Sequence, residues 1–230
     1  MTDRAIEKLG ALNTFNASYM RDVTFTMRPD IQALTPGARV IGRAFTVKGP
    51  DIYLNALEAI PPGSIYVHGQ AGEDCAVWGG LYAERYGKSR GLVAAVIDGG
   101  IHGRRETVEC AMPTFARFVS PLAATNRETG IIQEPVQCGG VMVHPDDILI
   151  GDEDGVVVVP RRNEQEICDK LDAFREGLEL FGIIARQPGV VVSQHEALGE
   201  MMRLKYAHPS DYWRYYEPWV AKWRKKYGPK

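Results

Sequence analysis

The sequence contains no long apolar segment. No apolar run approaches the roughly 18–20 residues that a membrane-spanning helix requires. The N-terminal residues Met1 to Arg4 are polar and lead into an ordinary helix pattern, which argues against a signal peptide. We therefore expect a cytoplasmic protein without a membrane partner.

Cysteine is scarce. The sequence has four, far apart and without a C-x-x-C pair: Cys75, Cys110, Cys138 and Cys168. This spacing argues against a disulfide framework and against a structural zinc site. We expect reduced thiols that pack as small hydrophobic side chains rather than act as nucleophiles.

An excess of charge of either sign is also missing. The chain has 27 Lys and Arg against 29 Asp and Glu, a net charge of −2, so no global field favours nucleic acid or an anionic membrane. One local exception is the basic, aromatic-rich stretch from Tyr206 to Tyr227, where rings could stack on single-stranded nucleic acid. Because the rest of the chain has no basic surplus, we predict no nucleic-acid partner and expect these rings to be used in packing.

The residues that are present indicate a globular α/β protein. Apolar residues make up 45% and charged residues 24% of the 230, and predicted strands alternate with predicted helices. We expect an α/β domain at residues 1–187 and a C-terminal aromatic tail at residues 188–230 that packs on the body or on a neighbouring subunit. At the end of the α/β domain, after Pro160, a helix is predicted with Asn163 as its cap and with a stripe of Ile167, Leu171, Phe174, Leu178 and Phe181.

A polar segment directly follows the predicted buried strand Leu92 to Ile97. In α/β proteins, active sites are built at the carboxyl ends of strands. Asp98 is either catalytic or bonded to backbone in the following turn. His102 is either a general acid/base near neutral pH or a structural or solvent-exposed histidine.

Charged residues continue this segment. Arg104 and Arg105 could clamp a carboxylate, or could be surface charges. Glu106 could support a divalent cation, most plausibly through water, or could sit at a helix start as a favourable partner of the helix dipole.

A glycine turn, Gly79-Gly80, precedes Leu81 and Tyr82 at the start of a helix predicted from Trp78. Free backbone N–H groups at a helix start suit a carboxylate or phosphate. A turn used only for packing explains the same glycines equally well. The pattern is neither a Walker loop nor a G-x-G-x-x-G fingerprint.

Acidic residues cluster between Asp146 and Gly155. Their spacing does not match an EF-hand loop, which needs Gly at its sixth position and Glu at its twelfth. We interpret them as turn residues between strands.

These segments together resemble the RraA-like family. That family comprises the divalent-metal (class II) pyruvate aldolases acting on 4-hydroxy-4-methyl-2-oxoglutarate and 4-carboxy-4-hydroxy-2-oxoadipate, and the regulators of ribonuclease E activity. The resemblance runs from about Gly37 to Arg161 and is carried by Gly42-Arg43-Ala44-Phe45-Thr46-Val47, Pro62-Gly63, Trp78-Gly79-Gly80-Leu81, Val96-Ile97-Asp98-Gly99, Pro113-Thr114-Phe115-Ala116, Pro135-Val136-Gln137-Cys138-Gly139-Gly140-Val141 and Asp152-Glu153-Asp154-Gly155-Val156-Val157-Val158-Val159-Pro160. The resemblance implies an α/β/α sandwich of the swivelling-domain-like type with a helical aromatic tail, assembled as a homotrimer or homohexamer with sites between subunits.

The resemblance also implies a chemistry. In the aldolases, backbone amides matching Gly80, Leu81 and Tyr82 hold the pyruvate carboxylate. An arginine and an aspartate, four and five residues after the acid matching Asp98, stabilise the enolate oxygen and anchor Mg²⁺ or Mn²⁺. Another acid commonly lies three residues after that aspartate.

This chain departs from that pattern at two positions. The arginine is replaced by His102 and the aspartate by Gly103, while Glu106 fits and is the remaining candidate metal ligand. Each preorganised donor lost from an oxyanion costs on the order of 3–4 kcal/mol, or 10²–10³ in rate. Glycine has no side chain to ligate a metal, so the usual site for Mg²⁺ or Mn²⁺ is incomplete.

Two functions follow as hypotheses. The first is a diverged carbon–carbon lyase acting on a small, carboxylate-bearing 2-oxo or hydroxy acid by aldol cleavage, decarboxylation or related enolate chemistry. His102 and Asp98 would be catalytic, and residues 79–82 with Arg104 and Arg105 would bind the substrate. The second is a non-catalytic regulator or binding protein of the ribonuclease E inhibitor type.

Overall fold

The computed structural model describes residues 3–49, 54–124 and 130–228. They form two compact units: Met1–Ser18 with Thr24–Arg162, and Tyr19–Val23 with Asn163–Lys230. The boundary expected from the sequence, at residue 187, lies inside the second unit, because the long helix after Pro160 belongs to that unit. Packing of the tail on a neighbouring subunit stays a prediction.

The first unit contains a ten-stranded mixed sheet and a two-stranded hairpin. The strands of the sheet are β1 (Phe25–Thr26), β2 (Gln32–Ala33), β3 (Val40–Lys48), β4 (Ser64–Gly69), β5 (Ala76–Gly79), β6 (Ala94–His102), β7 (Thr114–Val119), β8 (Ile131–Ile132), β11 (Ile148–Asp152) and β12 (Gly155–Val159), and those of the hairpin are β9 (Val136–Cys138) and β10 (Val141–Val143). The main order is β1-β12-β11-β3-β4-β6-β7-β2, with β5 beside β6 and β8 beside β3. The central strands β3, β4, β6 and β7 are parallel, as an α/β protein requires.

Strand β6 is longer than the sequence indicated. The segment from Asp98 to His102, expected as a loop, continues the strand. The physical reason is β5, which runs parallel to β6 and pairs Gly79 with His102. The carboxyl end of the strand is therefore His102 rather than Ile97.

Short helices connect the strands of this unit. They are α1 (Arg4–Leu9), α2 (Thr14–Ala17), α3 (Leu54–Ala59), α4 (Gly80–Tyr82), which continues as a π-helical turn (Ala83–Lys88), and α5 (Arg104–Glu109). The helix expected from Trp78 begins instead at Gly80, because Trp78 and Gly79 pair with β6. The glycine turn is therefore a strand-to-helix junction.

Two apolar clusters use alternate residues of the sheet. One joins strand residues such as Tyr66 and Ile97 to Leu57 of α3 and Tyr86 of the π-helical turn. The other joins Ile65 and Val96 to the β9–β10 hairpin through residues that include Cys138 and Val141. Burial raises the pKa of the Cys138 thiol, so this cysteine is a neutral, hydrophobic core residue.

The second unit is helical. It contains α6 (Glu164–Ala185), α7 (Glu196–Ala207) and α8 (Tyr216–Tyr227), with a 3-10 turn at Tyr212–Tyr215; another 3-10 turn, Arg161–Asn163, directly precedes α6. Three buried indoles donate hydrogen bonds: Trp213 to Asp22 (2.9 Å), Trp219 to the carbonyl of Ala197 (3.0 Å) and Trp223 to Glu200 (3.2 Å). These aromatics thus fill the interior of this unit and have their polar atoms satisfied.

Two details of α6 differ from the prediction. Asn163 makes no capping hydrogen bond; its side-chain amide donates to the carbonyl of Val23 at 2.7 Å. Beyond Phe174 the buried positions are Gly177, Leu180 and Ile184, whereas Leu178 and Phe181 are half-buried. Gly177 takes a buried position because the ring of Tyr216 lies against it. No helix in the described part of the chain is long and apolar enough to cross a membrane.

Candidate active site

The junction of β5 and α4 is built on two glycines. A Cβ placed on Gly79 would lie 2.6 Å from His102 Cε1, and one placed on Gly80 would lie 2.3 Å from Glu106 Cβ. No real Cβ tolerates such distances, so close approach of β6 and α5 requires glycine at both positions. The structure thus brings the glycine turn, His102 and Glu106 together.

His102 is the last residue of β6 and is half-buried. Its imidazole lies across Gly79, with Nδ1 and Nε2 both 2.9 Å from the Cβ position of that glycine. Neither ring nitrogen has a hydrogen-bond partner among the described residues. An imidazole held by packing, with both nitrogens unpaired, can donate to or accept from a ligand.

The first backbone N–H groups of α4 are those of residues 80–82. Gly79 caps the helix without a side chain, so no capping side chain bonds to these amides. The side chain of Leu81 is 68% exposed, whereas Tyr82 packs beside Trp78 and Tyr86, with ring centroids 5.9 and 6.3 Å away. Burial raises the pKa of the Tyr82 phenol, which therefore stays protonated near neutral pH. The arrangement matches the predicted cradle for an anion, and its use for that purpose stays a prediction.

A cleft of about 420 Å³ opens beside this helix start. Six residues line it: Gly80, Leu81, Glu84, Glu106, Glu109 and Cys110. Glu84, Glu109 and Cys110 were not predicted as site residues; for the last two, the helical spacing from Glu106 was the available signal. Three carboxylates in one cleft oppose binding of an anion unless cations offset them.

The two arginines of this segment begin α5 and are exposed. Arg105 lies 3.6 Å from Glu106 and 3.7 Å from Glu109, measured from guanidinium nitrogen to carboxylate oxygen. Arg104 has no ion pair within the described ranges of the chain. Arg105 thus contacts two of the carboxylates that line the cleft, and the use of either arginine to bind a substrate stays a prediction.

Asp98 has a separate set of partners. Its Oδ2 accepts a hydrogen bond from the N–H of Gly139 at 3.0 Å, and its Oδ1 lies 3.5 Å from Arg28 and 3.7 Å from Arg117. The carboxylate is only 12% exposed. The sequence could not reveal these arginines, because they belong to segments distant from Asp98 along the chain. These three partners are different from the residues that surround His102.

The donor set does not fit a resident divalent cation. Mg²⁺ and Mn²⁺ prefer several oxygen ligands, but residue 103 is a glycine in the left-handed conformation (φ +59°). In the described part of the chain, no three His, Cys, Asp or Glu side chains are grouped so as to hold a metal ion. Glu106 alone remains of the predicted metal site.

The acidic segment before β12 serves as a turn. Asp152 accepts hydrogen bonds from the amide of Thr14 (2.8 Å), the hydroxyl of Thr14 (2.5 Å) and the amide of Asp154 (3.0 Å). Glu153 accepts from the amide of Gly37 at 3.0 Å. These contacts agree with its interpretation as a connection between strands rather than a calcium loop.

A buried histidine near the end of β4 was not anticipated. His68 is fully buried; its Nε2 lies 2.7 Å from the carbonyl of Gly49, and its Nδ1 lies 2.9 Å from the Tyr66 hydroxyl. The carbonyl can only accept, so Nε2 carries the proton and Nδ1 accepts from Tyr66. Burial lowers the pKa of His68 to about 4. This imidazole is therefore neutral under ordinary conditions.

The chain is similar to proteins of the family that its sequence motifs resemble. The family model described as "RraA-like: Aldolase/RraA" matches residues 12–158. A Halalkalibacterium halodurans protein named "Putative 4-hydroxy-4-methyl-2-oxoglutarate aldolase" is 30% identical over 155 residues, which are 66% of this chain and 72% of that protein. An uncharacterized Methanocaldococcus jannaschii protein is 36% identical over 110 residues, which are 48% of this chain and only 52% of that protein.

A solved structure agrees. The crystal structure of Streptomyces coelicolor RraAS2, described as an unusual member of the RNase ES inhibitor RraA protein family, superposes with a TM-score of 0.68 at 26% identity. The match covers 77% of this chain and 96% of that one. It confirms the α/β fold class that the sequence predicted.

Proposed function

This chain belongs to the RraA-like family, and from that premise we propose that it is a diverged lyase acting on a small, carboxylate-bearing 2-oxo or hydroxy acid. The reaction would be aldol cleavage, decarboxylation or a related enolate-forming step. The site would be the β5–α4 junction with the carboxyl end of β6.

One observation carries the proposal. The imidazole of His102 lies across Gly79, next to the first N–H groups of α4, and neither of its nitrogens has a partner among the described residues. A carboxylate bound at the amides of residues 80–82 would leave the rest of a small substrate within reach of this ring. Arg104 and Arg105 would add positive charge at the rim.

Aldol cleavage requires a base for the substrate hydroxyl and stabilisation of the developing enolate oxygen. In aldol cleavage, a base removes the proton of the substrate hydroxyl, and the electrons of the breaking carbon–carbon bond move onto the carbonyl oxygen of the departing enolate. Protonation of the enolate carbon then gives the 2-oxo acid product. His102 can polarise the carbonyl oxygen or carry one of these protons, since an imidazole changes charge near neutral pH.

For Asp98, the sequence leaves a catalytic role and a backbone-bonding role open. Its hydrogen bond to Gly139 and its two arginine neighbours support the second role. We propose that Asp98 holds the β9–β10 turn against β6 while His102 carries the chemistry.

Turnover of 2-oxo acids tests this function. Purified protein would be assayed with 4-hydroxy-4-methyl-2-oxoglutarate, 4-carboxy-4-hydroxy-2-oxoadipate and oxaloacetate, with EDTA and with Mg²⁺, by coupling released pyruvate to lactate dehydrogenase. We expect His102→Ala to lower kcat by on the order of 10²-fold, the usual value for a lost acid/base group. His144→Ala is the matched control, because His144 pairs with Asp147 elsewhere in the unit. Equal turnover of wild type and His102→Ala would contradict the assignment.

A second function is favoured by a different observation. The similar Streptomyces protein is described as a member of an RNase inhibitor family, and positions 102 and 103 have lost the aldolase pair. We propose regulation of an RNase E-type endoribonuclease as the alternative. Inhibition of such an enzyme at stoichiometric concentrations, unchanged in His102→Ala and without turnover of any 2-oxo acid, would establish it over the lyase.

A further inference from the structure

The proposed lyase site lacks the carboxylate at residue 103 that would anchor a metal ion. Resting on that proposed function, we infer that Arg105, rather than a divalent cation, supplies the positive charge facing Glu106. The site then takes its small carboxylate ligand without added metal.

Gly103 borders a space between the start of α4 and the Glu106 carboxylate. A Cβ on this residue would lie 3.1 Å from Glu106 Oε2 and 3.6 Å from the amide nitrogen of Gly80. A side chain there would point between the anion cradle and the Glu106 carboxylate. In this chain the carboxylate of Glu106 borders that space, and glycine leaves it open.

Glu106 cannot readily withdraw. Its Cβ packs on Gly80, and the backbone nitrogen of Thr107 lies 3.1 Å from the Cβ position of the same glycine. The Thr107 hydroxyl donates to the carbonyl of Gly103, the N-cap of α5, at 3.0 Å, which fixes the first turn of this helix. The backbone of Glu106 is therefore held beside the cradle, and the negative charge of its carboxylate, whose Oε2 lies 3.1 Å from the Cβ position of Gly103, must be offset before an anion binds there.

Arg105 is placed to offset that charge. Its guanidinium lies within 3.7 Å of both Glu106 and Glu109, two of the three carboxylates of the cleft. In the free protein water screens these pairs, since Arg105 is 81% and Glu106 52% exposed, so their effect on stability is small. A bound ligand displaces water, and the electrostatic interaction between the same charges then becomes stronger.

The ligand chemistry points the same way. A divalent cation such as Mg²⁺ takes several ligands from water and is anchored by one or two carboxylates. With glycine at position 103, Glu106 is the carboxylate that borders this space. The imidazole of His102 is the nearest other donor, and it lies against Gly79. A guanidinium, in contrast, can bond a carboxylate through two N–H groups at once.

Calorimetric titration with oxalate, a small dicarboxylate, tests the inference. For the wild type we expect the same Kd, within about twofold, in EDTA, in Mg²⁺ and in Mn²⁺. Arg105→Ala should weaken binding in EDTA by about fivefold, and Arg105→Lys should restore only part of it, because an ammonium keeps the charge but not the paired N–H contact. Arg161→Ala, which removes another exposed arginine paired with an acid, should leave the Kd unchanged.

The outcomes separate this inference from the proposed function. Oxalate binding that appears only with Mg²⁺ or Mn²⁺ would overturn the metal-free site and leave the carboxylate site standing. Absence of oxalate binding under every condition would overturn both. In paramagnetic resonance, one Mn²⁺ per chain bound with a Kd below about 100 µM and lost in Glu106→Gln would also overturn the inference.

Discussion

Asp98 and His102 both belong to β6, at its middle and at its carboxyl end, and their surroundings differ. Asp98 is largely buried between a backbone amide and two arginines, whereas His102 is half-buried with both nitrogens unpaired in the described structure. From the sequence, His102, the Gly79-Gly80 turn and Glu106 could be grouped in one site only as candidates, and the fold brings them together. It could not pair Asp98 with Arg28 and Arg117, because only the folded sheet brings those segments together.

Gly79 should act on turnover through His102. In Gly79→Ala the new Cβ would lie 2.6 Å from the imidazole, so the ring must move away from the start of α4. We expect kcat to fall by about 10²-fold, as in His102→Ala, because the same group is misplaced rather than removed. In the double variant the two losses should not add. Multiplicative losses would show that Gly79 acts independently of His102.

Asp98→Asn should affect stability more than chemistry. The amide keeps the shape but removes the negative charge facing Arg28 and Arg117, and we expect the free energy of unfolding to fall by about 1–3 kcal/mol. The measurement is urea denaturation, together with a turnover assay on the folded variant. If turnover fell by about 10²-fold or more while unfolding stayed unchanged, the catalytic role for this residue would be supported instead.

At the scale of the elements, the local sequence pattern predicted which strands and helices exist better than it predicted where they begin and end. The central strand and the long helix after Pro160 were both predicted, because buried β-branched residues and an apolar stripe are strong signals. The end of β6 was not, since its last residues form a strand through pairing with β5 and β7, which the sequence does not show. In α6 the apolar stripe is completed by a glycine, which no hydrophobic pattern reveals.

Two glycines of α6 should respond oppositely to alanine. Within a helix, Gly→Ala ordinarily stabilises by up to about 1 kcal/mol. At Gly182 the added methyl would meet only the flexible end of Arg186, at 3.2 Å, so Gly182→Ala should raise the free energy of unfolding. At Gly177 the Cβ would lie 1.9 Å from the ring of Tyr216, so overpacking should lower it by about 1–3 kcal/mol.

Thermal and urea unfolding of both variants, followed by the fluorescence of the buried tryptophans, would measure the difference. Gly182→Ala is the matched control, because it makes the same change in the same helix. Stabilisation by Gly177→Ala would mean that Tyr216 repacks at little cost, contrary to the geometry described for the second unit.

At the scale of the whole molecule, the order and spacing of short motifs indicate the family, and the family model and the superposed structure bear this out. The division into two units was harder to predict from the sequence. It depends on which helices bury one another's apolar faces, and Tyr19–Val23 joins the second unit from a distant point in the chain. Quaternary structure stays a prediction, with a homotrimer or homohexamer expected from the resemblance.

The stability of the first unit should decrease below neutral pH because of His68. In the unfolded chain a histidine has a pKa of about 6.5, whereas in the folded unit burial lowers the pKa of His68 to about 4. As the pH falls between these values the unfolded state takes up the proton first, so protonation favours unfolding. The contribution is intact above pH 6.5 and declines towards pH 4, with a loss of about 3 kcal/mol once both states are protonated.

Urea unfolding at intervals from pH 7.5 to pH 4 would follow this loss. His68→Gln keeps a donor and an acceptor near Gly49 and Tyr66 but does not titrate, so the part of the slope due to His68 should disappear in that variant. His144→Gln is the control, because that side chain is half exposed and lies at a different site. If His68→Gln retained the full slope of the wild type between pH 6.5 and pH 4, the buried imidazole would not be the group responsible. Carboxylates such as Asp3, whose pKa is lowered by its hydrogen bond to Arg43, would not explain that slope, because their contribution is lost only as the pH falls below about 4.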